Sequence, residues 1–141
     1  MADKIFENNQ VSIVGEIVSD FRFSHEVYGE GFYVVDVAVN RLSNFMDYIP
    51  LMISERLIDV NEDYIGQTIY VMGQFRSFNR HEEKKNRLVL SVFVRELELL
   101  DEIDEDMKTN QIFLDGYICK DPIYRKTPRG RVIADLLIAV N

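Results

Sequence analysis

Asn9-Gln10-Val11-Ser12-Ile13-Val14-Gly15 returns as Asn110-Gln111-Ile112-Phe113-Leu114-Asp115-Gly116. At that single offset of 101 the match runs without a gap to Ala38-Val39-Asn40 on Ala139-Val140-Asn141. Nine of the 32 aligned pairs are identical, where unrelated residues at ordinary frequencies would give about two. A duplication of this kind has to be recognised before any element is assigned. Its second copy stops after about a third of a unit's length, so the chain is expected to be a piece of a longer protein.

Within the first copy, apolar residues alternate at Val11, Ile13, Gly15 and Ile17, the period of a half-buried strand. Gly15 marks a bulge or a close backbone approach. A polar turn region follows. After Tyr28-Gly29-Glu30-Gly31, a second strand runs from Phe32 to Asn40 with Tyr33, Val35, Val37 and Val39 on one face. Asp47 to Ile53 is a third. Residues 55–65 carry apolar side chains at Leu57, Ile58, Val60, Tyr64 and Ile65, which predicts a short helix stopped by Gly66. Thr68 to Phe78 alternates again, with Ile69, Val71 and Phe75 inward and Tyr70, Met72, Arg76 and Phe78 outward; Gly73 is the expected bulge. Leu88 to Leu100 is the fifth strand, and 79–86 reads as a charged hairpin loop. The fold class is all-β: a five-stranded barrel with one short helix, followed by the first two strands of a second unit. The expected organisation is a barrel domain over 1–100, an acidic linker over 101–109 and the start of a second repeat over 110–141.

The chain has 141 residues, 47% of them hydrophobic, and a net charge of -8. Apolar runs fall far short of the roughly 20 residues that cross a bilayer, and no basic region precedes an apolar stretch at the start. A lone cysteine, Cys119, makes no intrachain disulfide and suits a reducing cytoplasm. The acidic average argues at first against a phosphate-rich partner, but the charge is uneven. Residues 1–100, 101–108 and 109–141 carry -6, -4 and +2. Five cations, Arg76, Arg80, Lys84, Lys85 and Arg87, fall within twelve residues, interleaved with aromatics on one strand face. Sequence-independent binding of a single strand needs cations along the phosphate track and aromatic faces for the bases.

The order of three strands, a helix and two strands resembles the bacterial single-stranded DNA-binding protein family, whose domain is an OB-fold barrel. The likeness is carried by Asn110 to Gly116, Asp121-Pro122, Tyr124-Arg125, Thr127-Pro128-Arg129-Gly130 and Ala134 to Asn141. In the first unit it is carried by Asp47-Tyr48, Asp63-Tyr64-Ile65 and Ile69 to Arg76. The resemblance implies single-stranded DNA as partner, a role in replication, recombination or repair, and assembly as a homo-oligomer, a dimer. The apolar residues of 111–141 would face no core of their own, so this exposed hairpin is expected to pair with another chain or to dock on a sheet edge of the first barrel. DNA-binding candidates are Tyr48, Tyr70, Arg76, Phe78, Arg80, Lys84, Lys85 and Arg87, with Arg125, Lys126, Arg129 and Arg131 in the second unit. Phe45, Arg22 and Arg41 are secondary candidates. The chain has no tryptophan; Tyr48 and Arg80 stand where the family commonly has one. The family's basic loop is replaced in the first unit by Ser24 to Gly31, which adds two acids, and is kept in the second.

Catalysis and cofactors find no support. His25-Glu26 and His81-Glu82-Glu83 lack third and fourth ligands at usable spacing for a metal. Gly29-Glu30-Gly31 precedes a strand instead of a helix, and Cys119 reads as an apolar filler. The competing function is an OB-fold assembly or protein-interaction module with little DNA affinity.

Overall fold

The computed structural model describes residues 8–41, 43–82, 84–104 and 106–140, with the side chains of 78–82 and 86–88 outside the described set. Six strands build the first unit: β1 (Asn9–Ile17), β2 (Arg22–Val27), β3 (Glu30–Asn40), β4 (Met46–Ser54), β5 (Thr68–Glu82) and β6 (Lys85–Leu100). β3, β4, β6, β5 and β1 close into a five-stranded barrel through a β1–β3 pairing. Every contact is antiparallel except β4 with β6, which run parallel at Leu51↔Val92 and Met52↔Phe93.

Alternation places Val11, Ile13, Ile17, Val35, Val37, Leu51, Ile53, Ile69, Val71, Val92 and Val94 in one buried cluster. Closure requires β1 to serve two neighbours: it pairs with β5 from Val11 to Glu16 and passes to β3 at Glu16 and Ile17. Gly15 sits at that transfer, where a Cβ would come within 2.6 Å of the Ala38 carbonyl oxygen. At the far end of β1 the Asn9 side chain takes over as a strand partner. Its Nδ2 donates to the Phe75 carbonyl (2.7 Å) and its Oδ1 accepts from the Phe75 N–H (2.8 Å).

Several expectations change. No helix forms over 55–65; those residues make consecutive turns. The Asp59 carboxylate accepts from the Asn61 N–H and that of Asp63 from the Ile65 N–H, each at 3.0 Å, so local side chains take the backbone donors that a helix would use. Leu57, Ile58 and Tyr64 still pack on the core, and Phe21 meets Tyr64 edge-on at 5.8 Å. Gly66, at φ 94°, donates to the Ile17 carbonyl (2.8 Å); its positive φ serves this tie and not a helix end. The polar turn region contains a strand, β2. The charged loop is shorter than expected, since β5 and β6 stay paired as far as Glu82↔Lys85.

Residues 110–140 supply five short strands instead of two: β7 (Asn110–Leu114), β8 (Tyr117–Ile118), β9 (Ile123–Lys126), β10 (Val132–Asp135) and β11 (Ile138–Ala139). β7 adds to the outer edge of β1, with Asn9↔Leu114 through Ile13↔Asn110. Part of the first unit's pairing recurs at the same offset, up to the bulge of β2: beyond it Arg125 pairs with Ile133 and Lys126 with Val132, where the first unit pairs His25 with Phe32 and Glu26 with Gly31. Glu16↔Ala38 and Ile17↔Val37 recur as Tyr117↔Ala139 and Ile118↔Ile138. Arg22↔Val34 and Phe23↔Tyr33 recur as Ile123↔Asp135 and Tyr124↔Ala134. Gly116 repeats the role of Gly15, lying against the Ala139 carbonyl.

Candidate nucleic-acid interface

Two register shifts decide which side chains reach the outer face of the barrel. Strict alternation on β2 would put Phe23 and His25 on the same side. The pairing jumps between Phe23↔Tyr33 and His25↔Phe32, so Phe23 packs edge-on against Tyr33 (5.5 Å) while the His25 ring stacks on Phe32 at 5.0 Å and 11°. The second shift, between Met72↔Glu96 and Gly73↔Val94, leaves Arg95 as the extra residue of β6, opposite Gly73. It sets Phe93 across from Gln74 on β5 and Met52 on β4.

These shifts assemble a line of flat groups. His25 stacks on Phe32, Phe32 lies 5.7 Å from Phe93, and the Arg76 guanidinium covers the Phe93 ring at 4.0 Å, with Arg95 at 5.8 Å. An arginine over an aromatic face gains cation–π attraction of about 0.5–1 kcal/mol where exposed. Arg76 Nη2 donates to Gln74 Oε1 at 2.9 Å. Partial burial, and then the charge of Arg95, lower the Arg76 pKa; an arginine stays protonated regardless. The line borders an open groove that continues over Val34, Pro50, Met52, Val89 and Ser91 to Arg22 and Phe23.

Four other arginines are held by acids: Arg22 by Asp36 (3.2 Å), Arg41 by Asp47 (2.6 Å), Arg56 by Glu30 (3.7 Å) and Arg125 by Asp135 (2.9 Å). At the β3–β4 turn the hydrogen bonds of Arg41 hold the Asp47 carboxyl below its usual range, and Asp47 in turn raises Arg41. Among the described residues Arg76 forms no ion pair, which leaves its charge available to a phosphate.

Of the candidates from sequence, Arg76 lines the groove. Tyr48 lies on β4 with Phe45 just before it at the strand's turn, both 67% exposed. Lys84 and Lys85 are exposed at the tip of the β5–β6 arm. The side chains of Phe78, Arg80 and Arg87 lie outside the described residues; their backbones pair on that arm at Phe78↔Val89 and Arg80↔Arg87. Tyr70 is not brought to the groove. It pairs with Val14 and Glu98 at the opposite end of β5, six residues or about 20 Å from Arg76 at strand rise. Arg125, Lys126, Arg129 and Arg131 cluster on the β9–β10 hairpin, whose turn is closed by Thr127 N–H to the Arg131 carbonyl (2.8 Å) around Gly130 at φ 85°.

Phe93, Phe32, His25 and Arg95 were missed as site residues. The Phe93-Val94-Arg95 stretch on the fifth strand offered the aromatic-plus-cation signal, but its face depends on the shift at Gly73. Among the described residues no group of three His, Cys, Asp or Glu could hold a metal, and no helix is long and apolar enough to cross a membrane.

A five-stranded closed barrel with this strand order and an outer-face groove is an OB fold. The wild-type single-stranded DNA-binding protein of Thermus aquaticus has the same fold, with a TM-score of 0.73 at 19% identity over 94% of this chain and 68% of that one. No family model matches the chain. At the sequence level it is 31% identical over 93 residues to the single-stranded DNA-binding protein of Thermus thermophilus, covering 54% of this chain and 33% of that protein. The N-terminal domain of PriB from Thermoanaerobacter tencongensis, solved as a dimer, is 39% identical, with a TM-score of 0.59 over 68% of this chain and 100% of that domain. The chain belongs to the bacterial single-stranded DNA-binding protein family, and spans about a third of the length of the curated relatives it matches.

Proposed function

We propose that this chain binds single-stranded DNA without sequence preference, in support of replication, recombination or repair. The observation that carries the reading is the His25–Phe32–Phe93–Arg76 line beside an open groove, with Arg76 free of any described acid. Bases stack along the flat groups and phosphates meet Arg76 and the lysines of the β5–β6 arm. No step requires a cofactor or a catalytic group, and the reading is that of a cytoplasmic binding protein rather than an enzyme.

The pairings that recur at an offset of 101 support a tandem organisation: an OB unit over 1–100, an acidic linker over 101–109 and the beginning of a second unit over 110–141. The basic β9–β10 hairpin then makes the second unit the stronger DNA contact. Assembly as a dimer through the exposed strands of 110–141 belongs to the same reading.

Fluorescence anisotropy with labelled oligo(dT) tests the function. Log affinity should fall linearly with log salt between about 50 and 200 mM. Phe93→Ala should cost about 1–3 kcal/mol, the value of one base stack, and Arg76→Ala should lower the salt slope by about one. Absence of binding at low salt would favour the alternative, an OB-fold assembly module, to which the acids of the β2–β3 hairpin and the -6 of residues 1–100 point.

A further inference from the structure

The outer face of β3 carries Glu30, Phe32, Val34 and Asp36 at alternate positions, out of phase with the buried Gly31, Val35 and Val37. Phe32 belongs to the stacking line, and the two acids flank it six residues apart, about 20 Å at strand rise. Each acid holds an arginine at one end of the groove. Asp36 holds Arg22 (3.2 Å) where the groove runs over Val34, Pro50 and Met52, and Glu30 holds Arg56 (3.7 Å) beside Phe32 and Phe93. A serine hydroxyl buttresses both pairs. Ser19 Oγ accepts from Arg22 Nη1 (3.2 Å) and from the Asp36 N–H (2.8 Å), and Ser54 Oγ donates to Glu30 Oε2. The four side chains are 33–71% exposed, so a competing anion can reach both arginines.

Resting on the single-strand reading above, we propose that Glu30 and Asp36 set how tightly the groove holds a strand, by withholding Arg56 and Arg22 from its phosphates. Arg76 meets a phosphate with its charge unspent. Arg22 and Arg56 must first exchange a carboxylate for a phosphate, and the abandoned carboxylate then stands beside the negative charge of the strand. The exchange nearly cancels, because an exposed pair with either oxyanion is weak. A bound strand is therefore gripped at the centre of the groove, at Phe93 and Arg76, and lies loosely at both ends. Glu30 and Asp36 act through the arginines they hold and so are positioning residues, with no contact to the DNA of their own.

Anisotropy titrations of the full chain with labelled oligo(dT) at about 50 mM salt test this. Glu30→Gln and Asp36→Asn keep the side-chain shape and remove the charge. Each should tighten binding by about three- to fivefold, the range that exposed ion pairs withhold, and the two gains should multiply because the sites are about 20 Å apart. Glu98→Gln removes the same charge opposite Tyr70, far from the groove, and should change affinity by less than about 1.5-fold under screening. The arginines supply the decisive readout. Arg22→Ala in the parent should weaken binding by less than about twofold, yet in Asp36→Asn it should remove the whole gain, a coupling that loss of net charge alone does not produce. Unchanged affinity in Glu30→Gln and Asp36→Asn, a gain matched by Glu98→Gln, or a gain that survives Arg22→Ala would overturn the proposal and leave DNA binding itself standing. No binding by the parent or by any variant would instead remove the single-strand reading, and the proposal with it.

Discussion

Val11, Ile13, Ile17, Val35 and Val37 are at most 1% exposed, while their equivalents Ile112, Leu114, Ile118, Leu136 and Ile138 are 39–63% exposed. The residue types match, Gly15 and Gly29 return as Gly116 and Gly130, and the pairings at Glu16–Ile17 and Arg22–Phe23 return in register. What differs is the cover. In the first unit β4, β5 and β6 wall off the inner face; among the described residues nothing equivalent lies against β8 and β11. Periodicity thus chooses the side on which apolar residues stand, and only non-local strands turn that side into a core.

The sharpest way to break the comparison is to truncate both members of one pair. Ile13→Ala should cost about 2–5 kcal/mol of unfolding free energy, as for other buried large-to-small changes. Leu114→Ala should stay within about 1 kcal/mol because its side chain is partly solvated already. Chemical denaturation of the two variants reads the difference, and equal losses would mean that the second segment has a buried core of its own.

A smaller effect is expected at the paired glycines. Gly15→Ala forces a Cβ into the Ala38 carbonyl at the point where β1 changes neighbours, and should cost about 1–3 kcal/mol. Gly116→Ala should loosen the β8–β11 pairing, visible as faster amide exchange at Cys119, while leaving the global denaturation midpoint nearly unchanged.

Asn9 and Asn110 give a third contrast. Asn9→Ala strands the Phe75 N–H and carbonyl and should cost about 1–3 kcal/mol by thermal unfolding. Asn110 is exposed, and Asn110→Ala should fall within about 0.5 kcal/mol.

The smallest effect is electrostatic and confined to the first unit. Asp47 has its folded pKa lowered by Arg41, so its contribution is fully present above the unfolded carboxylate value near 3.9 and is lost as pH falls through the lower folded value. Asp47→Asn should therefore remove a small contribution above about pH 4, so that the acid limb is slightly flatter and variant and parent converge at low pH, the small size being that of an exposed pair.

Much of this was legible in the chain itself. The offset of 101 and the alternation at Val11 to Ile17, Phe32 to Asn40 and Thr68 to Phe78 predicted the strands, their inward faces and the all-β class. Gly15 and Gly73 predicted the tight places. The helix over 55–65 was misread because apolar spacing competes there with aspartate turns, and two carboxylate hydrogen bonds outweighed the pattern. The groove was only half legible. Arg76 stood out as a cation among aromatics, but His25 and Phe93 were invisible, because one extra residue on β2 and one on β6 decide which way every later side chain points.

The sequence by itself determined the strand content, the duplication and the opposite charges of the two hairpins, all of which are local or periodic properties. Tertiary structure alone decided that β1 closes the barrel on β3, that β7 lies on the edge of β1, and that His25, Phe32, Phe93 and Arg76 meet in one line. Those outcomes depend on register between residues far apart in the chain, 68 positions for His25 and Phe93 and 105 for Asn9 and Leu114, and register is set by bulges and backbone pairing that no single stretch of residues contains.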